Sequence, residues 1–353
     1  MYGKFRSREE FQQVKKKFFS NCLQKGYGHS MTADVWRQIE SFAGYAFAKG
    51  HSASYAVESY QSLFLKAYYP LEYMVATVNN GGGFYRVELY IHEARMHGAE
   101  ILPPCVNQSD GYTKIYGKDI YLGFHLVKDL EGRVIERMLF ERSRGGVFLN
   151  LDDLVKRMEI SLEQLSILIR VGGFRFTGLN KKELMWKAHF LLGNTKKSSA
   201  NPTLFNVDYK QFTLPKLSFS LMEDAFDEME LVGFPLVNPF SLVKGDFKST
   251  LCVKDLRKCV GRVVTIMGYL IAIKNTSTSN GGRMNFGTFI DLDGAFIDTV
   301  HFPPSAAKWP FRGRGVYTIT GKVVEEYDFQ SIEVMMMEKE RYIDDPRYST
   351  TVE

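Results

Sequence analysis

The chain has 353 residues, a formal net charge of +5, 45% hydrophobic and 24% charged residues. Those proportions belong to a globular protein with room for two or three domains, and they exclude collagen-like, largely disordered and multi-span membrane chains. No apolar run reaches the ~18 residues of a spanning helix. The cysteines Cys22, Cys105, Cys252 and Cys259 are too few and too scattered for a disulfide framework. The first 25 residues carry no apolar signal-peptide core, so a cytoplasmic location without membrane contact is expected. Charge is uneven. Residues 1–25 hold seven basic and two acidic groups, and residues 111–200 hold sixteen basic and ten acidic groups. Two basic blocks in a nearly neutral chain suit phosphate-facing patches, although many globular surfaces are equally uneven.

In chain order, Phe5 to Leu71 reads as mostly helical. Gln12 to Leu23 sets apolar residues against lysines, Thr32 is a candidate N-cap for a helix to Phe42, and Val57 to Lys66 resumes the pattern until Pro70 breaks it. Gly81-Gly82-Gly83 forms a hinge before a helix from Tyr85 to Met96, closed by Gly98. Ile101 to Pro104 is extended, and a short strand pair is expected around Tyr116 to Phe124. Residues 125–190 contain two copies of helix, tight turn and helix. Asn194 to Pro202 reads as a linker, and Glu223 to Glu230 as an acidic helix ending near Gly233. From Arg262 the apolar period changes to two. Strands are expected at Val263–Ile273, Met284–Asp291, Ala295–Phe302, Val316–Tyr327 and Ser331–Arg341, with Pro304 to Trp309 between the third and fourth. That order suits a five-stranded OB barrel better than an unrelated small sandwich.

The densest constellation is Phe42-Ala43-Gly44-Tyr45-Ala46-Phe47-Ala48-Lys49-Gly50-His51-Ser52-Ala53-Ser54-Tyr55-Ala56. Its small residues let backbone approach a ligand, and Lys49 and His51 can donate to phosphate. His51 and Tyr55 share a helical face. A half-buried structural histidine is the plainer reading of His51 alone. This segment resembles the fingers signature of the alpha subunit of bacterial DNA polymerase III, the C-family replicative polymerase. Tyr60-Gln61, Leu65 to Met74, Glu93 to Gly98 and Ile101 to Asn107 extend the resemblance. Gly50 stands where the family usually carries serine, which removes a hydroxyl donor.

The resemblance implies a multidomain α+β chain: the carboxy-terminal part of the fingers (1–110), a tandem helix–hairpin–helix region (111–193), a clamp-binding segment and connector (194–255), an OB-fold domain (256–345) and a tail (346–353). It places Lys49, His51, Ser52 and Tyr55 near nucleotide and primer–template. It also implies a palm domain and a PHP domain upstream of the fingers, so no catalytic residue is expected in this chain. The chain alone is expected to be inactive, although its parent family is a DNA-directed DNA polymerase. Magnesium is expected for the parent polymerase, whose phosphoryl transfer needs carboxylates to hold it. Asp291-Leu292-Asp293 is an Asp-x-Asp sequence, and its place in a barrel strand and turn suggests solvated acids.

Lys128 and Arg133 flank the first hairpin, whose Asp129-Leu130-Glu131 replaces the usual glycine-rich turn and opposes phosphate. In the second, Gly172 and Gly173 permit a tight turn, and Arg170, Arg175, Lys181 and Lys182 supply charge. The resemblance assigns these residues to duplex backbone; a plain helical hairpin with a solvated basic surface fits the spacing equally. Asn201-Pro202-Thr203-Leu204-Phe205 resembles the clamp-gripping pentapeptide Gln-x-x-Leu-Phe, so Asn201, Leu204 and Phe205 are the candidate clamp contacts. An ordinary Leu-Phe anchor onto its own domain is the alternative. In the barrel, Lys274, Arg283, Phe286, Arg312 and Arg314 could line a single-strand groove, against the alternative that strand aromatics are core. No metal site is expected, because neither the cysteines nor the histidines have ligand spacing. A free-standing DNA- or clamp-binding adaptor, or a remnant without activity, would share these features.

Overall fold

The computed structural model describes residues 8–41, 49–193, 220–245, 251–278 and 281–348. They form two compact units that divide between Tyr69 and Pro70. In the first, α1 (Arg8–Gln24) and α2 (His29–Ser41) pack around the buried indole of Trp36. Phe11, Phe18 and Phe19 surround it with ring centroids 5.3–6.2 Å away. Thr32 is not the N-cap of α2. The helix starts at His29, and the buried Thr32 hydroxyl reaches back one turn to donate to the Gly28 carbonyl at 3.0 Å. Helix α3 (Lys49–Tyr68) is exposed along residues 50–61.

In the second unit, Pro70 stops one helix and opens the next, α4 (Pro70–Asn79), because a proline without an N–H fits a first helical position. Helix α5 (Val87–Met96) packs on it, with Gly98 just beyond in the left-handed region. The expected strand pair falls slightly upstream as β2 (Lys114–Tyr116) and β3 (Asp119–Tyr121), because Gly117 takes the positive φ that reverses the chain. The extended segment becomes β1 (Glu100–Leu102), which pairs parallel with β3. The Asn79 side chain exchanges two 2.8 Å hydrogen bonds with the Thr113 backbone and fixes this sheet to α4.

Four helices follow: α6 (Gly132–Gly145), α7 (Leu151–Arg157), α8 (Leu162–Arg170) and α9 (Lys181–Leu192). Asn150, Ser161 and Asn180 cap the last three, Asn180 in a capping box with Glu183. Phe124, Met138, Phe148, Leu168 and Phe174 are buried in their common core. The leading helix of the first hairpin copy shrinks to a single 3-10 turn, Phe124–Leu126. The amide of Gln164 on α8 clamps that hairpin, accepting from Glu131 N at 2.8 Å and donating to Asp129 O at 3.0 Å. Gln164→Ala should therefore cost about 2 kcal/mol, read as a lowered urea midpoint at unchanged slope.

Helix α10 (Leu221–Leu231) lies against α8, and a short helix, α11 (Val253–Leu256), leads into the barrel. Strands β4 (Val263–Ser277), β5 (Arg283–Ile290), β6 (Phe296–His301), β7 (Val316–Glu326) and β8 (Phe329–Lys339) close in the order β4-β5-β6-β8-β7. The β6–β8 pair is parallel and the others antiparallel, and α12 (Pro303–Lys308) fills the connection between β6 and β7. This is the five-stranded OB barrel that the two-residue period predicts. Gly268 has a local reason: a Cβ there would stand 2.8 Å from that of Phe289 in the barrel core.

Candidate nucleic-acid interface

The cations assigned to the second hairpin do not face solvent alone. Gly172 adopts φ +90° and lets the Arg175 guanidinium fold over it, where any Cβ would collide. Arg170 pairs with Asp227 at 2.9 Å and Glu230 at 2.5 Å, and Arg175 with Asp224 at 3.1 Å and Glu228 at 3.5 Å. Lys181 contacts Asp224 at 2.5 Å and Asp227 at 3.1 Å, and Lys182 reaches Glu223 at 3.0 Å. Arg347, from beyond the barrel, joins Asp227 and Glu230 at 2.8 Å each. All five acids lie on α10. The Glu230 carboxyl is held below its usual range, first by its hydrogen bond to Arg170. Burial pushes the Glu228 carboxyl up, opposed by the Leu236 amide that donates to it at 2.8 Å.

The positive block of the second hairpin is thus matched by an acidic helix that sequence analysis recognised but left without a partner. A signal was present: five acids in the eight residues Glu223 to Glu230, arriving shortly after a basic hairpin. At the first hairpin, Lys128 and Arg133 are exposed, with Asp129 and Glu131 as their ion-pair neighbours. Asp129 holds a left-handed φ of 60° where the hairpin needs it, and the Glu131 amide is already taken by Gln164. Both facts favour a structural first turn over an open phosphate cradle.

The barrel residues divide. Lys274 and Phe286 are register partners on the exposed face of the β4–β5 ribbon. Arg283 stands opposite Ser277 on the other face, near the ribbon's end. Among the described residues, Lys274, Arg283 and Arg312 make no ion pair. Arg312 lies in the loop before β7, its amide donating to the Tyr317 hydroxyl at 2.9 Å. Arg314 is committed elsewhere: it pairs with Glu88 of α5 at 3.3 Å and donates to the Gly233 carbonyl. Tyr269 donates to the same carboxylate at 2.7 Å, and His92 meets the Gly294 carbonyl at 2.8 Å, so α5 and the barrel are joined through polar contacts.

His51, Ser52 and Tyr55 occupy exposed positions on α3, which Lys49 begins. The rest of the small-residue signature before Lys49, and the segment Asn201, Leu204 and Phe205, lie outside the described residues. Asp291 departs from expectation. It is buried, and its carboxylate caps the turn by accepting from Asp293 N, Ala295 N and Val253 N at 2.8–3.0 Å. Asp293 pairs with Lys254 at 2.7 Å. These two acids are spent on the turn and do not suit a catalytic magnesium. Among the described residues no cluster of three or more His, Cys, Asp or Glu side chains could hold a metal, and no helix is long and apolar enough to cross a membrane.

Fold and surface together define a class: helix–hairpin–helix elements joined in one unit to an OB barrel. A helix-hairpin-helix family model matches residues 98–184. DNA polymerase III subunit alpha of Borreliella burgdorferi is 27% identical over 326 residues, covering 85% of this chain and 28% of that protein. Its counterpart from Aquifex aeolicus is 28% identical, covering 89% and 26%. The chain matches the carboxy-terminal part of the DNA polymerase III alpha subunit, and it spans about a quarter of the length of these curated relatives. Among solved structures, the second OB-fold domain of replication protein A from Methanococcus maripaludis is 19% identical with a TM-score of 0.19, covering 23% of this chain and 85% of that one.

Proposed function

We propose that this chain is the DNA-binding and clamp-tethering portion of a bacterial replicative polymerase, supporting template-directed synthesis by DNA polymerase III. The observation that carries the reading is the presence of hairpin helices and OB barrel in one compact unit of a chain whose relatives, over more than four fifths of its length, are alpha subunits. Phosphoryl transfer, with its magnesium, is assigned to the palm portion outside this chain, with the PHP portion beside it. Lys49, His51, Ser52 and Tyr55 face primer–template near the incoming nucleotide. The cytoplasm is the compartment where these partners meet.

The charge arrangement shapes how DNA is held. Cations without an ion pair can release counterions when they meet phosphate; those on α8 and α9 already have carboxylate partners. Single strand is therefore assigned to the exposed Lys274 and Phe286 of the β4–β5 ribbon, and duplex backbone to the side chains of Lys128 and Arg133, whose exposed ion pairs exchange readily for phosphate, and not to the backbone of the first turn. Arg170, Gly172, Gly173, Arg175, Lys181 and Lys182 serve the DNA-facing unit by holding its shape. In a salt series with labelled single strand, Lys274→Ala should reduce the slope of log affinity on log salt by about 0.7, and Arg170→Ala should leave it unchanged. A flat salt response from the native chain would overturn the reading.

Clamp tethering rests on Asn201, Leu204 and Phe205, an exposed-type Leu-Phe pair with a side-chain amide to set register. The double change Leu204→Ala with Phe205→Ala should abolish pull-down by the immobilised sliding clamp while leaving strand affinity intact. Retained capture would remove the clamp from the proposal.

A further inference from the structure

The cations of residues 261–353 are not spread evenly over the barrel. This stretch holds ten basic and twelve acidic groups, yet four of the ten line one cavity of about 260 Å³. Lys308 ends α12, Arg312 lies in the loop before β7, Lys339 ends β8 and Arg341 follows it. All four are exposed, and the acid among the lining residues is Glu338. Among the described residues none of the four makes an ion pair, whereas Arg170, Arg175, Lys181 and Lys182 all have carboxylate partners.

Local packing holds these charges at the cavity. The half-buried Trp309 packs against the barrel core, and Lys308 Nζ lies 5.3 Å from the centre of its ring, a cation–π contact. Gly315 adopts φ +147°, and a Cβ there would stand 2.5 Å from Lys339 Cε, so the lysine stem crosses the loop at this glycine. Its ammonium donates to the Arg312 carbonyl at 3.2 Å. The Tyr317 hydroxyl fixes the same loop, accepting from the Arg312 amide at 2.9 Å and donating to the Gly313 carbonyl at 2.5 Å. Pro310 walls this cavity and also a second, of about 640 Å³, which carries Arg283 between the β4–β5 ribbon and α12. The joined surface passes around the end of α12 and sets five cations against one acid.

We infer that these adjoining cavities take the phosphates of a single nucleic-acid strand. The surface is separate from Lys274 and Phe286, which lie on the opposite face of the ribbon from Arg283. A concavity lined by one sign of charge focuses its field and draws in the opposite sign. Guanidinium groups such as those of Arg283, Arg312 and Arg341 hold phosphate oxygens two at a time. Charges spread over two neighbouring cavities suit a ligand with an anion at every repeat better than a lone phosphate. A flexible strand can turn its phosphates into such hollows, whereas a duplex holds them on a rigid cylinder. This inference rests on the reading of the chain as a DNA-binding unit and gives that unit a second strand surface.

The test uses the full chain and a fluorescent oligothymidine of about 16 nucleotides, the upper site size of an OB barrel, by anisotropy across a salt series. The double change Arg312→Ala with Arg341→Ala should reduce the slope of log affinity on log salt by about 1.4, the worth of two phosphate contacts. Both side chains are exposed, so the fold should stand, and an unchanged urea midpoint checks it. Adding Lys274→Ala should lower the slope by about a further 0.7. Glu338→Gln removes the rim acid and should tighten binding about two- to threefold, a gain that misfolding does not produce. A native slope in the double variant, or unchanged affinity in Glu338→Gln, would overturn the inference. An equal fall in slope for a duplex of the same length would remove the single strand as the ligand. Polyglutamate bound as tightly as the strand, and released in the double variant, would give the surface to an acidic peptide instead. Failure of the strand to bind the native chain at low salt would overturn the DNA-binding reading beneath it.

Discussion

Asp227→Ala is expected to lower the unfolding free energy by about 3–5 kcal/mol, the cost of breaking a buried ion pair by removing one partner. The Asp227 carboxylate is 6% exposed and meets Arg170, Lys181 and Arg347 at 2.8–3.1 Å. Its loss takes a shared partner from three cations at once, leaving Glu230 to Arg170 and Arg347, Asp224 to Lys181, and Asp345 to Arg347. Surface pairs contribute far less because water screens them, so Lys244→Ala, which breaks an exposed pair with Asp344 at 2.7 Å, should shift stability by less than about 1 kcal/mol. Urea unfolding of the two variants side by side checks the contrast. A small effect at Asp227 would mean that α10 is only loosely held and that the hairpin cations can be released to a polyanion.

That network also explains what could and could not be read from sequence. The barrel was legible because alternation of apolar residues over Val263 to Arg341 leaves one face of each strand buried, and the closed order follows that pattern. Local signals also placed the β2–β3 pair and the Gly172 turn within a few residues. The roles of Arg170, Arg175, Lys181 and Lys182 were not legible, because a cation's sequence neighbours do not reveal which acid meets it across 41–60 residues of chain. The same blindness applies to Arg314, which reads as a groove cation but is turned toward Glu88. Asn285 and His301, buried register partners on β5 and β6, were invisible for a different reason. Only the closed barrel shows that a polar strand residue points inward and lacks a donor. Resemblance supplied the family order of modules, and geometry redistributed the charges within it.

The contact between α5 and the barrel yields a second large effect, with a sign that depends on pH. Burial pushes the Glu88 carboxyl above its usual value, and the Arg314 guanidinium is the largest opposing influence, followed by the hydrogen bond from Tyr269. A carboxyl raised in the folded state contributes stability that is complete below its unfolded value of 4.5 and is lost as pH rises through the folded value. Arg314→Ala removes the main opposing charge, raises the folded value further and enlarges that loss. It should cost about 3 kcal/mol at neutral pH, and much of this should return on acidification below pH 4.5, where Glu88 is protonated in both states. Adding Glu88→Gln leaves an amide oxygen to accept from the Tyr269 hydroxyl without a buried charge. The double variant should therefore lie within about 1 kcal/mol of the native chain and lose the pH dependence. Thermal unfolding of the native chain, Arg314→Ala, Glu88→Gln and the double variant at neutral pH and at about pH 4 measures the coupling directly. Equal destabilisation by Arg314→Ala at both pH values would place its role in the Gly233 carbonyl contact instead, with Glu88 a bystander.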